Sequence, residues 1–181
     1  MAHDALVLHP RDPQEAPDPA VLVAALQEID FIAADAPAAG PYPPGPAFGQ
    51  HITFMGCAPA LAAEGQDLHS VEVSGPSPAP LLAAGDNLRP PRCPACGRSP
   101  EDWREQVRAW NGEPAQRDWT CPNCGKTHPL AGLDWRRTAG VARVFVTVWG
   151  VFEREGIPGD ALLSALGTVT DGPWTYFYLR R

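Results

Sequence analysis

Two short cysteine motifs are the residues of this chain best suited to chemistry. Arg92-Cys93-Pro94-Ala95-Cys96-Gly97 is answered by Thr120-Cys121-Pro122-Asn123-Cys124-Gly125-Lys126, and both contain C-P-x-C-G. Two thiolates two residues apart can ligate one ion if the chain turns tightly between them. The backbone N–H groups of that turn can then point at the sulfurs and stabilise their charge. Glycine after the second cysteine suits a turn that needs positive φ. Four thiolates close a tetrahedral shell around Zn2+ with bonds near ~2.3 Å, and a closed shell leaves no position for water. The expected chemistry is structural binding of one ion per chain. Iron is the other metal that such a donor set suits.

With both motifs in view, residues 89–128 resemble a zinc ribbon, whose two knuckles are commonly written C-P-x-C-G. The resemblance implies Cys93, Cys96, Cys121 and Cys124 as the ligands of one structural Zn2+. The 24 residues between Cys96 and Cys121 exceed the usual ~15–20, and they carry a helix pattern where compact ribbons have strands. Ser99 can cap a helix, Pro100 suits its first position, and Asp102 stands third, as in a capping box. Trp103, Val107 and Trp110 then share one face. Either Trp103 and Trp110 bury the module against the rest of the chain, or with Arg104 they anchor a protein partner, since Trp is enriched at interface hot spots. His128 follows the second knuckle and could replace a ligand, but four cysteines already fill the shell.

The elements that must position this module are legible around it. Ala5 to His9 reads as a strand. Asp18 is an N-cap followed by Pro19 at the first helical position, and Leu22, Leu26, Ile29 and Ala33 extend an amphipathic helix to about residue 33. Residues 35–49 hold five Pro and three Gly and read as loop. Residues 51–57 and 68–73 read as two strands able to form a hairpin. Residues 142–152 are the strongest strand signal. Pro158-Gly159-Asp160 introduces a helix over 161–166, and residues 174–179 close the chain as an aromatic strand.

The order strand, helix, loop, strand thus occurs twice. Two such units predict an α+β fold of the ferredoxin-like sandwich type, with helices on one face of a mostly antiparallel sheet. The core domain spans 1–88 and 129–181, and the zinc-ribbon insert 89–128. On the last strand Trp174, Tyr176 and Tyr178 alternate with Thr175, Phe177 and Leu179. If Phe177 and Leu179 face the helices, the aromatic row faces away, where Phe145 and Trp149 also offer rings. Such a row could stack nucleic-acid bases or be covered by the insert, the proline-rich loops or a second subunit.

Other chemistry has thin support. His51, Thr53, Met55 and Cys57 alternate onto one strand face, which permits a His51–Cys57 catalytic pair, but nothing marks a base placed to activate the thiol. His3, His9 and His69 have no partner pattern. Residues 41–46 could be a polyproline ligand, though a plain extended loop accounts for them. No Walker A, G-x-G-x-x-G, G-x-S-x-G or H-E-x-x-H pattern occurs.

Composition narrows the class. A chain of 181 residues suits one domain with a small insert. Pro and Gly total 39, below the share that marks disorder, but enough to promise long loops. The start lacks the basic and apolar run of a signal peptide, and no segment approaches the ~20 apolar residues of a membrane span. Paired cysteines without an export signal read as metal ligands in the cytoplasm. Thirteen Arg to one Lys, with abundant Ala, is a bias that a GC-rich bacterial genome also produces. The net charge of −7 opposes nucleic-acid or anionic-membrane binding by the whole. It conceals an asymmetry: residues 89–137 hold nine Lys/Arg against six Asp/Glu, a net +3, and the remainder carries −10. The expectation is a non-enzymatic protein-interaction or accessory module with a structural zinc. Nucleic-acid binding through the basic insert, or an enzyme around His51 and Cys57, stand as alternatives.

Overall fold

The computed structural model describes residues 4–35, 37, 39–55, 69–112 and 118–181. Along the chain these form β1 (Asp4–Pro10), α1 (Pro19–Glu28), α2 (Phe48–His51), β2 (Ile52–Phe54), β3 (Ser70–Ser74), β4 (Leu81–Ala84), α3 (Trp103–Gly112), β5 (Asp118–Thr120), β6 (Thr127–Pro129), a 3-10 turn (Leu130–Gly132), β7 (Ala139–Ala142), β8 (Phe145–Trp149), β9 (Gly156–Pro158), α4 (Asp160–Thr170) and β10 (Trp174–Arg180). Described strand pairings are all antiparallel, and the class is mixed α+β. No helix among the described residues is long and apolar enough to cross a membrane.

The principal sheet has the order β10-β1-β8-β3. β1 is buried along its whole length because it is central and covered on both faces. Successive side chains of a strand point to opposite faces, so β1 divides its residues between two clusters. Leu6 and Leu8 join Leu22 and Leu26 of α1, Leu162 and Leu166 of α4, and Val146 and Val148 of β8. Ala5 and Val7 face the other way, with Phe145, Phe177, Leu179 and Ala142. Helices α1 and α4 pack against each other.

This register corrects the expected aromatic face. Trp174 and Tyr178 lie buried in the helix-side cluster, with Tyr176 packed against it, while Phe177 and Leu179 are on the opposite side. The rings turn inward because their polar ends find partners there. Trp174 Nε1 donates to Thr170 Oγ1 at 2.9 Å and the Tyr178 hydroxyl to the Gly156 carbonyl at 3.0 Å. Large amphipathic rings are buried at least cost where such partners exist.

Helix α1 begins as expected, with Asp18 Oδ1 accepting the Ala20 N–H at 2.8 Å. It stops at Glu28, five residues before the periodicity predicts. Asp30 takes a left-handed φ of 55°, the Asp30 N–H bonds the Gln27 carbonyl, and the Phe31 N–H bonds that of Leu26. That is a Schellman stop, with Phe31 and Leu26 as its apolar contact. The later apolar residues belong to this turn, not to another helical one.

The strands also depart from expectation in three places. Residues 51–54 are divided between the end of α2 and β2, and β2 pairs with β9 instead of 68–73. Of the latter segment, residue 68 lies outside the described residues and residues 70–73 belong to β3, paired with β8, because Val71 and Val73 complete the apolar row of Val146 and Val148. The run from 142 to 152 is broken at Arg143 and Val144, because its two ends serve different ladders. Residues 139–142 pair with β4 in a separate two-stranded ladder, and 145–149 enter the principal sheet. The C-terminal helix is longer than expected and covers Asp160–Thr170.

Everything from 85 to 138 lies between the two strands of the β4–β7 ladder. Part of this excursion packs back on the same ladder, where Val107, Trp110, Trp119, Leu130, Leu133 and Trp135 meet Ala139 and Val141.

Candidate metal centre

The two cysteine knuckles have the same backbone. In the first, the Gly97 N–H donates to the Cys93 carbonyl at 2.8 Å and the Cys93 N–H to the Arg98 carbonyl at 2.9 Å. In the second, the Gly125 N–H donates to the Cys121 carbonyl and the Cys121 N–H to the Lys126 carbonyl, each at 2.9 Å. Gly97 and Gly125 hold φ of +72° and +70° with open space around the missing Cβ, so their requirement is conformational and not steric.

Three neighbouring elements aim the knuckles at one another. The hairpin β5–β6 carries the second, with Trp119 opposite His128. The first is held by an antiparallel bridge, in which Arg92 and Asp134 exchange N–H···O bonds of 2.9 and 3.0 Å. Helix α3 closes the side of the module. It starts at Trp103 and not at Pro100 as its sequence predicts, with residues 101–102 in a turn.

The result is four sulfurs all within 4.8 Å of one another. Cys93 Sγ lies 3.8 Å from Cys124 Sγ, and Cys96 Sγ lies 3.7 Å from Cys121 Sγ. A tetrahedron with metal–sulfur bonds of ~2.3 Å has sulfur–sulfur edges of about 3.8 Å. Disulfide sulfurs stand ~2.05 Å apart. The spacing therefore fits a shared ion and no disulfide. Cys93 and Cys121 are buried, and Cys96 and Cys124 are exposed, so the site lies at the rim of the module.

Four thiols this close cannot all ionise unless a cation joins them. For Cys96 the largest influence is the Arg98 N–H, which lowers the pKa, but desolvation and the three other thiols outweigh it and push it up to about 11. For Cys121 burial works upward, yet the N–H groups of Cys124 and Asn123 and the thiols of Cys124 and Cys96 bring it down to about 7. A bound dication would remove the remaining conflict by pairing with all four thiolates. His128 Nε2 stands 3.5 Å from Cys93 Sγ, outside the four-sulfur set, where its N–H tautomer can donate to that sulfur.

The other sequence-predicted site residues are dispersed. Trp110 is buried in the module, edge-on to Trp135. Trp174 and Tyr178 are buried beneath the helices. Burial removes these three from any surface that a partner could touch. Trp103 and Tyr176 are half-buried and Arg104 is exposed. The Arg104 guanidinium sits 4.6 Å from the centre of the Trp103 ring. His51 donates from Nε2 to the Ile29 carbonyl at 2.9 Å, and its Nδ1 is buried without a hydrogen-bond partner among the described residues. Cys57 lies outside the described residues, as does His3.

Two members of the module interior, Trp119 and Trp135, escape the sequence reading. Trp119 lies two residues before a ligand, and that proximity is the signal that could have found it. Comparison with protein-family models, with curated proteins and with solved structures finds no match to this chain.

Proposed function

We propose that this is a non-enzymatic intracellular zinc-binding protein, in which one structural Zn2+ on Cys93, Cys96, Cys121 and Cys124 holds together a module that docks a protein partner. The four-sulfur geometry carries the reading. Edges of 3.7 and 3.8 Å match a closed Zn–S shell, and such a shell offers no open position for substrate or water. The knuckle hairpin supports calling the module a zinc ribbon with an added helix. The antiparallel order β10-β1-β8-β3, with α1 and α4 packed together, supports calling the body a ferredoxin-like sandwich.

The partner surface on this reading is the outer side of the module. Arg92, Arg104, Arg108 and Lys126 are exposed there, and Trp103 keeps part of its ring in solvent. An arginine stacked on a half-exposed tryptophan is the residue pair that interface hot spots favour. The test is elemental analysis of the purified chain, followed by affinity capture with the wild type and with Trp103→Ala/Arg104→Ala. About one zinc per chain, and a specific protein retained by the wild type and lost by the variant, is the expected result. Metal-free protein, or capture indifferent to the variant, overturns it.

The basic module also supports a second reading, nucleic-acid binding, with its net charge of +3 over 89–137 as the motivating observation. That reading requires a mobility shift with RNA or DNA at low salt that weakens steeply as salt rises.

A further inference from the structure

Between the metal module and the principal sheet, the segment 134–138 passes over the ends of β1 and β10. Arg136 and Arg137 both sit in the left-handed region, at φ of 55° and 58°, which side-chain-bearing residues seldom adopt in succession. Arg137 is tied down. Its Nη1 donates to the Tyr176 carbonyl at 3.2 Å and its guanidinium lies 3.8 Å from the centre of the Tyr176 ring. Arg136 differs. Its N–H donates to Asp134 Oδ1 at 2.9 Å, but its guanidinium, on a half-buried residue, makes no hydrogen bond or ion pair with any described residue.

Both arginines line a cavity of about 280 Å³, and His9 lies in its wall. His9 is 8% exposed. Its Nδ1 is 2.8 Å from the Pro10 carbonyl. A carbonyl oxygen only accepts, so Nδ1 carries the proton and Nε2 presents a bare lone pair. Nε2 has no hydrogen-bond partner among the described residues. It lies against Gly140, where an added Cβ would come within 2.4 Å of it, and Gly140 lines the same cavity. Burial lowers the imidazole to about 4, against a weaker opposing influence from the Pro10 carbonyl, so the ring is neutral near pH 7.

A histidine lone pair and an unpaired arginine lining one cavity ask for a ligand that is both an anion and an O–H donor. Asp134, a carboxylate on the same wall, disfavours an anion with no proton to give. From this geometry we infer that the cavity is a binding site for a protonated small oxyanion of the hydrogen-phosphate type, with Arg136 and Arg137 balancing its charge and His9 Nε2 accepting its O–H. The cavity is larger than a bare tetrahedral anion needs. The shared chemistry is a phosphoryl group that keeps a proton, whether on free phosphate or on a small monoester. Sulfate has the same shape but no proton at neutral pH, so the lone pair of His9 disfavours it.

The test uses the full chain with its metal bound, titrated calorimetrically at pH 5.5, where both phosphate probes keep a proton and His9 is neutral, at constant ionic strength with inorganic phosphate, phenyl phosphate and sulfate in turn. The expected result is saturable binding of phosphate, with sulfate weaker by at least about tenfold, the scale of one hydrogen bond to a charged group. Tighter binding of phenyl phosphate assigns the site to monoesters, and tighter binding of phosphate to the free ion. Sulfate binding as tight as phosphate, or no saturable binding of either phosphate probe, overturns the inference. Arg136→Ala, whose side chain has no structural partner to lose, should weaken phosphate by about tenfold or more, and unchanged affinity overturns it. Long-range proton–nitrogen spectra of the unaltered protein give a readout that needs no variant. The His9 Nε2 resonance should move with phosphate, and saturable binding that leaves it still places the ligand elsewhere.

Discussion

The sheet body and the metal module are each built on a cluster of buried side chains, but the clusters differ in kind. In the body, Leu6, Leu8, Leu22, Leu26, Phe31, Ile32, Val146, Val148, Leu162 and Leu166 are all fully buried hydrocarbon. In the module, Val107, Trp110, Trp119, Leu133 and Trp135 each keep about 6% of their surface, and the most deeply buried members are Cys93 and Cys121. A small excursion cannot bury enough apolar surface to offset its own chain entropy. The module answers that deficit with four cysteines placed to share a metal ion at its rim and large indole rings behind them. Stability in the body therefore resides in carbon packing, and the proposed reading places the module's in sulfur–metal bonding.

The sharpest way to break this contrast is to remove a ligand. Cys121→Ser takes away a buried thiolate, and structural zinc sites contribute roughly 10–16 kcal/mol of apparent binding free energy. Metal content should fall from about one ion per chain to nearly none. Residues 85–138 should then lose hydrogen-exchange protection and become open to protease, while β1 and β8 keep theirs. If protection in β1 and β8 vanished together with that of β5 and β6, the two regions would be one cooperative unit and the contrast would fail.

The complementary perturbation lies in the body. Leu162 is fully buried between α4 and the sheet, and Leu162→Ala should cost about 2–5 kcal/mol, measured by urea denaturation followed in the far ultraviolet. Zinc content should not change in the folded variant. A loss of zinc would show that the module's ligand geometry depends on packing in the body.

How much of this was legible in the sequence follows the same division. The four-cysteine cluster was readable to the residue, because C-P-x-C-G encodes a local turn and needs only one long-range event, the meeting of two turns. α1 and the terminal strands were readable because period and capping are local. What the sequence concealed was pairing. Nothing in Ile52–Phe54 says that its partner is β9 rather than the next strand, and nothing in 142–152 says that Arg143 and Val144 divide two ladders. The inward turn of Trp174 and Tyr178 depended on hydroxyl and carbonyl acceptors supplied by α4 and β9. The His9–Arg136 cavity left no trace either, since β1, β7, β10 and the segment 134–138 contribute to it from distant parts of the chain.

A smaller effect tests the seam between the regions, where His9 lies. Its folded pKa is lowered to about 4 from 6.5, chiefly by burial. Between those values the unfolded chain binds a proton that the folded chain refuses, so stability is lost as pH falls from about 6.5 to 4. The loss should amount to about 3 kcal/mol in total, from ~1.4 kcal/mol per pKa unit. Urea denaturation at pH 7 and 4.5, with zinc content monitored, should show it in the wild type. His9→Asn should flatten the difference, and an undiminished slope in that variant would assign acid sensitivity to the metal site instead.

The smallest expected difference compares one aspartate from each region. Asp18 Oδ1 accepts the Ala20 N–H at the start of α1, and so satisfies a backbone donor that the helix cannot. Asp102 stands just before α3, but its Oδ1 accepts from the Gln106 side chain at 2.7 Å. Asp18→Ala should therefore cost about 1 kcal/mol of global stability, and Asp102→Ala only a few tenths, the size of a side-chain pair on one helical turn. The first cost should appear in the body's unfolding transition, because α1 packs into the fully buried cluster. The second should appear only as faster exchange within α3. If Asp102→Ala shifted the global transition as far as Asp18→Ala, α3 would have to be coupled to the body through the β4–β7 ladder more tightly than a metal-centred module allows.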